Sequence, residues 1–237
     1  MDSIKNLSRI TGITYLLMIP FGILGILYVP NAILVPGDMA TTITNILANT
    51  SLFHLSIFSS LVVQLIQIVL VLLLFKLLRP ASKVAAILMV AFILPAVSIA
   101  MLNEVSLLAI SSLVSGAAYT ASFTAEQLQG LVGLLFDTHQ AGVFIAQIFW
   151  GIWLFPMGYL VYRSGYIPRI IGILLMIGCF GYLADSLFYV LNIDIGFTVS
   201  EYTFLGEVLL PLWLLFRAND VASKHPDTRT TTLPQGA

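Results

Sequence analysis

The stretch from Asp137 to Gly172, DTHQAGVFIAQIFWGIWLFPMGYLVYRSGYIPRIIG, constrains this chain more than any other. An acidic, His-bearing entry leads into mostly apolar residues, interrupted by Gln147 and by small or aromatic positions, and a Tyr/Arg/Pro turn follows. A hydrocarbon core of roughly 30 Å needs about 20 helical residues at ~1.5 Å each, and Thr138 to Tyr162 supplies them. The stretch therefore reads as one complete membrane crossing. Arg163 and Arg169 bracket its exit and orient that end toward the cytoplasm.

Composition agrees. Of 237 residues, 59% are hydrophobic and 9% charged, against about 25% charged in soluble domains. Mean hydropathy is +1.02. A net charge of −1 with no basic patch outside short loops argues against a nucleic-acid partner. The single cysteine, Cys179, rules out an intrachain disulfide and sits in an apolar run, where it reads as packing. Lys5 and Arg9 precede an apolar run from Ile10 to Val29 that is longer than a signal-peptide core and lacks a clear cleavage site, so it is read as a retained first helix.

Six runs of spanning length appear, about 9–29, 52–78, 84–103, 139–162, 168–190 and 202–217. None shows the alternation of a barrel strand, and backbone polar groups in hydrocarbon must be paired within the chain. The expected fold is an all-α six-transmembrane helix bundle over residues 1–217, followed by a polar, disordered cytoplasmic tail at 218–237. In that threading all ten Lys and Arg residues fall on one side, which puts both termini in the cytoplasm. Short proline-bearing turns at Pro80 and Pro168 make helices two and three, and four and five, antiparallel neighbours. In the outer connections Asp38 is placed to cap a short helix reaching Asn49, and Thr124 to Gln127 form a capping-box pattern. Prolines 20, 95, 156 and 211 lie inside spans, and Pro211 frees the carbonyl of Glu207.

Ionisable groups inside a span default to a functional hypothesis. Counting ~1.5 Å per residue from the nearest cytoplasmic basic residue puts His54, Glu104 and His139 about 31–36 Å away, at the outer interface. Asp185 and Gln147 come out at about 24 Å, in one outer-leaflet layer, and Glu207 at about 15 Å, near the midplane. A carboxylate that deep must pair, hold a proton or face a water-filled cavity. The bland readings stand beside these: interfacial histidines wetted by headgroups, Asp185 as a helix-end acid bonded to Tyr182, Tyr189 or water, and Glu104 as a solvated loop acid. His54, Gln64, Arg79, Pro80 and Glu104 also run in the same order as His139, Gln147, Arg163, Pro168 and Asp185. That order fits a duplication and fits coincidence equally well.

No Walker A, GxSxG, HExxH or CxxC motif is present, so the residues leave any cofactor unknown. Three function classes stay open. The leading one is an outer-leaflet pocket lined by Glu207, Asp185, Gln147, His139 and His54 that binds or passes a small or amphipathic ligand. The second is a metal-assisted enzyme acting on lipid, with His54, His139 and Asp185 as weak candidate ligands. The third is a non-catalytic scaffold, sensor or immunity partner whose polar groups tie helices together. In every case the lipid bilayer is a partner.

Several segments together resemble a family of bacterial multi-pass membrane proteins known only as a domain of unknown function. They are Arg9, Gly12, Tyr15 and Leu16, the Val35-Pro-Gly-Asp38 loop, LFHL around His54, GYLVYRSGYIP, and Gly206 to Leu215. The resemblance implies a six-helix protein of the bacterial inner membrane and carries no activity.

Overall fold

In the computed structural model, which describes residues 2–229, the chain is helical, with no strand among the described residues. The elements are α1 (Asp2–Gly22), a π-helical segment (Ile23–Tyr28), α2 (Val29–Ile33), α3 (Met39–Ala48), α4 (Thr50–Leu78) and α5 (Lys83–Val114). After a 3-10 turn (Ala118–Ser122) come α6 (Ala125–Ser164), α7 (Arg169–Val190), α8 (Ser200–Thr203), α9 (Leu205–Phe216), α10 (Ala218–Lys224) and α11 (Pro226–Arg229). Among the described residues, five helical stretches are long and apolar enough to cross a membrane: Asp2–Ile33, Thr50–Leu78, Lys83–Val114, Ala125–Ser164 and Arg169–Val190. Large apolar side chains such as Leu72, Val84, Leu102 and Phe180 are exposed along these helices, as suits a lipid-facing surface.

Local chemistry sets the ends. Asp38 caps α3, its carboxylate accepting from the Thr41 amide at 2.9 Å and the Thr41 hydroxyl at 2.6 Å. Gly37, at φ 78°, makes the turn before it. The capping box also forms: the Thr124 amide donates to Gln127 Oε1 at 2.9 Å and the Gln127 amide to Thr124 Oγ1 at 3.2 Å. From there α6 runs unbroken for 40 residues, so the segment before Asp137 is continuous with the fourth apolar span. The helices continue through Pro20, Pro95, Pro156 and Pro211.

The last apolar run differs from the expected continuous span. It divides at Phe204 into α8 and the 12-residue α9, a length of about 18 Å. The sequence also places a disordered tail from residue 218. There the structure has α10 and α11, with Ala218, Val221, Ala222 and His225 buried, while residues 230–237 lie outside the described residues.

Two compact units divide the chain. The terminal unit comprises Met1–Leu17, Ile66–Ala96 and Ala146–Ala237, and the inner unit comprises Met18–Leu65 and Val97–Ile145. This division cuts across α4, α5 and α6, so neither of the two hairpins with similar residue order is a unit by itself. The inner unit's core joins Val29, Ile33, Ile46, Phe53, Ile57, Leu107, Ile110 and Val132. In the terminal unit, glycines bring backbones together. A Cβ on Gly158 of α6 would lie 2.5 Å from the Gly172 carbonyl oxygen of α7, and one on Gly206 of α9 would lie 2.6 Å from the Leu175 nitrogen of α7. Helix α1 meets α9 in antiparallel order: Ser8 Oγ donates to the Leu214 carbonyl at 2.7 Å and Gly12 abuts the Pro211 carbonyl. The Tyr166 hydroxyl (2.7 Å) and His225 Nε2 (3.1 Å) both reach the Leu77 carbonyl near the end of α4. Burial, with the Asp227 carboxylate adding to it, pushes the Tyr166 phenol up, so it stays a donor at neutral pH.

The Asp38 cap predicts a pH response. Hydrogen bonding to the Thr41 side chain, then to its amide, holds the Asp38 carboxyl below its ordinary 3.8. Because the folded value is depressed, the cap's contribution is complete above the unfolded value and is lost as pH falls through the folded one. The Thr41 amide resonance, followed by NMR, is expected to titrate with a midpoint below 3.8. A midpoint at or above that value would count against the cap.

Candidate functional site

Three polar clusters lie within the helical units. The first, in the terminal unit, centres on Glu207 in the first turn of α9. Its Oε1 accepts from the Tyr182 hydroxyl of α7 at 2.9 Å, and its Oε2 lies 3.4 Å from the Tyr15 hydroxyl of α1. Phenols from two helices thus converge on one part-buried carboxylate. The antiparallel packing of α1 on α9 explains why: Ser8 pairs with Leu214, and two turns further along α1 Tyr15 arrives opposite Glu207. Among the described residues Glu207 has no Lys, Arg or His within ion-pair distance. Its charge, when present, is stabilised only by hydrogen bonds.

The second cluster, also in the terminal unit, joins Asp185 and Gln147. Gln147 Nε2 lies 3.5 Å from Asp185 Oδ2, so α6 and α7 bring these two together in one layer. The stronger contacts of Asp185 go elsewhere. Its Oδ1 accepts from the Val199 amide at 2.7 Å and its Oδ2 from the Ser200 amide at 2.9 Å. These are the amides that open α8, so Asp185 anchors the return loop from α7 rather than bonding Tyr182 or Tyr189. Tyr182 is committed to Glu207 instead. Nearby, the Trp150 indole donates to Gln67 Oε1 at 3.3 Å.

The third cluster is in the inner unit. His139 Nε2 of α6 lies 3.6 Å from Glu104 Oε1 of α5, within Coulombic reach and beyond hydrogen-bond length. Asn103 Nδ2 donates to the His139 carbonyl at 2.8 Å, and its amide packs where a side chain at Gly142 would stand. His54 Nε2 lies 2.6 Å from Ser111 Oγ.

The five residues expected to line one pocket fall in both units. Glu207, Asp185 and Gln147 belong to the terminal unit, and His54 and His139 to the inner one. Of the weak metal candidates, His54 meets Ser111 and Asp185 meets two backbone amides, while His139 Nε2 lies 3.6 Å from Glu104 without a hydrogen bond among the described residues. Among the described residues no three or more His, Cys, Asp or Glu gather as a metal would require. Sequence reasoning missed Tyr15 and Tyr182 as partners of Glu207, and it read Glu104 as a loop acid although its residue is only 6% exposed. The available signal for Glu104 was its depth, which matches that of His139 on the next span.

The chain is similar to the family model described as Domain of unknown function (DUF4386), which matches residues 10–218. It is also similar to an "Uncharacterized protein" of Archaeoglobus fulgidus, at 41% identity over 80 residues, which are 33% of this chain and 47% of that protein. The match thus spans about half of that relative's length. No solved structure matches.

Proposed function

We infer, because the chain belongs to the DUF4386 family, that it is a six-span protein of the bacterial inner membrane with both termini cytoplasmic, and that it binds or passes a small amphipathic ligand at Glu207. Three observations support the threading. Ser8 meets Leu214, and Tyr166 and His225 share the Leu77 carbonyl, so the chain after α9 returns to the end where α4 stops and α7 starts. Ser200 to Phe216 together measure about 25 Å as helix, enough to cross with a short flanking turn. A sixth crossing also keeps Arg217, Lys224 and Arg229 on the side of Arg79 and Arg163, as the positive-inside rule demands. A five-span chain would put those three residues outside.

The observation that carries the ligand reading is the Glu207 carboxylate itself, part-buried between two phenols and without a cationic partner among the described residues. An intramembrane acid of this kind is complementary to a ligand that brings positive charge on an apolar body. The Asp185 geometry favours the third reading for that residue alone, since its oxygens serve backbone amides.

Tetraphenylphosphonium, a lipophilic cation with no hydrogen-bond donor, serves as a probe. Proteoliposomes of the full chain are expected to retain it, and Glu207→Gln to weaken retention about tenfold or more, consistent with losing a desolvated charge pair. Equal retention by wild type and Glu207→Gln, with both proteins folded, sinks the reading.

A further inference from the structure

Five buried side-chain polar atoms lack a hydrogen-bond partner among the described residues, and four of them lie in the inner unit: Ser59 Oγ, Gln64 Oε1, Glu104 Oε2 and His139 Nε2. Such atoms are rare in helical packing, because each forfeits the bond it made to water. All four are acceptors or can be, and three of them come from Gln64, Glu104 and His139. Glu104 Oε2 and Gln64 Oε1 are acceptors outright, and His139 Nε2 offers a lone pair when the imidazole carries its proton on Nδ1.

Helix register brings Gln64 to within about one turn of the level of Glu104. His54 of α4 touches Ser111 of α5, so in this antiparallel pair the position two turns further along α4, Leu61, comes level with Glu104. Gln64 is one turn beyond Leu61 on the same stripe and is 5% exposed. From the other side, Asn103 holds the His139 backbone against α5. The side chain of Glu104 is 8% exposed and that of His139 20%, so the imidazole is the more exposed of the two.

We propose that Glu104, His139 and Gln64 form a binding site for a primary ammonium group. The chemistry is complementary in number and in charge. An ammonium has three donors and no acceptor, matching three unpartnered acceptors, and its single positive charge is balanced by the one carboxylate. A divalent metal suits the site less well, because it would need more protein ligands than the acid–imidazole pair provides. Quaternary ammonium ions, lacking N–H donors, do not meet the requirement. The ammonium can come from a free amine or from an aminophospholipid headgroup, since Glu104 and His139 lie at the outer headgroup level in the threading proposed above. Glu207 belongs to the other unit and supplies none of these atoms.

The test uses the full chain in phosphatidylcholine nanodiscs, with thermal unfolding as the readout. Ethanolamine at a hundredfold excess over half-saturation is expected to raise the midpoint by roughly 5 °C, and tetramethylammonium to leave it unchanged. Glu104→Gln should raise the half-saturating concentration at least about tenfold, His139→Gln should raise it less, and Glu207→Gln should leave it unaltered. If free ethanolamine has no effect but exchanging phosphatidylcholine for phosphatidylethanolamine stabilises wild type and not Glu104→Gln, the source is the lipid. A response to neither free ethanolamine nor phosphatidylethanolamine, an equal response to tetramethylammonium, or an undiminished response in Glu104→Gln overturns the proposal. The comparison of the two amines on wild type needs no variant to fold.

Discussion

Gly172→Ala is expected to destabilise the protein by about 3 kcal/mol, and Gly172→Leu to yield no folded, monodisperse protein. The first added atom decides this. A Cβ at Gly172 would stand 2.5 Å from the Gly158 carbonyl oxygen and 2.6 Å from the Tyr162 nitrogen. Both neighbours are backbone atoms of α6, so no side chain can swing aside and the helices themselves must part. The contact is reciprocal, since Gly158 meets the Gly172 carbonyl in the same way. Close approach of this kind is a main source of helix association where lipid is as apolar as leucine. Separation of α6 and α7 would also pull Gln147 from Asp185 and disturb the α7 surface on which Gly206 of α9 rests. The control is Gly130→Ala, which meets nothing within 4 Å and lies inside α6. There the better helix former is expected to stabilise slightly, by up to about 1 kcal/mol. Thermal unfolding of the detergent-solubilised proteins checks both, and a Gly172→Ala midpoint equal to wild type would remove the packing argument.

The spans were legible because hydrocarbon imposes a length on an apolar run, and Thr50–Leu78 and Arg169–Val190 follow the expected limits within two residues. Caps were legible for a different reason: Asp38 and the Thr124–Gln127 pair bond within their own first turn, so the pattern and its partner lie on the same short segment. What the sequence could not supply was pairing between helices. Tyr15 and Glu207 are 192 positions apart, and an expected depth says at what level a side chain lies but not which neighbour it faces. Depth did put Asp185 beside Gln147, yet it left unread that the loop after α7 folds back to offer two amides to the same carboxylate. The last helix fell between these cases. Its composition satisfies a span, but hydropathy has no term for the break at Phe204.

That folded-back loop makes Asp185 the residue whose loss should cost most among the buried acids. With Asp185→Ala, the amides of Val199 and Ser200 lose their acceptors, and each such loss costs about 1–3 kcal/mol when the donor stays buried. Ser200 is 9% exposed, so water replaces its partner poorly. A total near 4 kcal/mol, or roughly 10 °C in midpoint for a chain of this size, is expected. Asp185→Asn should lose about half as much, because one amide oxygen can still accept while the NH2 group meets an N–H donor head-on. Hydrogen exchange should rise first across the loop from Val190 to Ser200, since Asp185 ties that loop to α7. The effect should then pass to Glu207, whose position depends on α8 and the turn at Phe204. This sequence of events separates anchoring from binding. Glu207→Gln should lose the cationic probe while keeping its midpoint, whereas Asp185→Ala should lose midpoint and probe together. An Asp185→Ala protein that kept the wild-type midpoint and loop protection would show that the two backbone amides do not depend on this carboxylate, and the anchoring role would have to be abandoned.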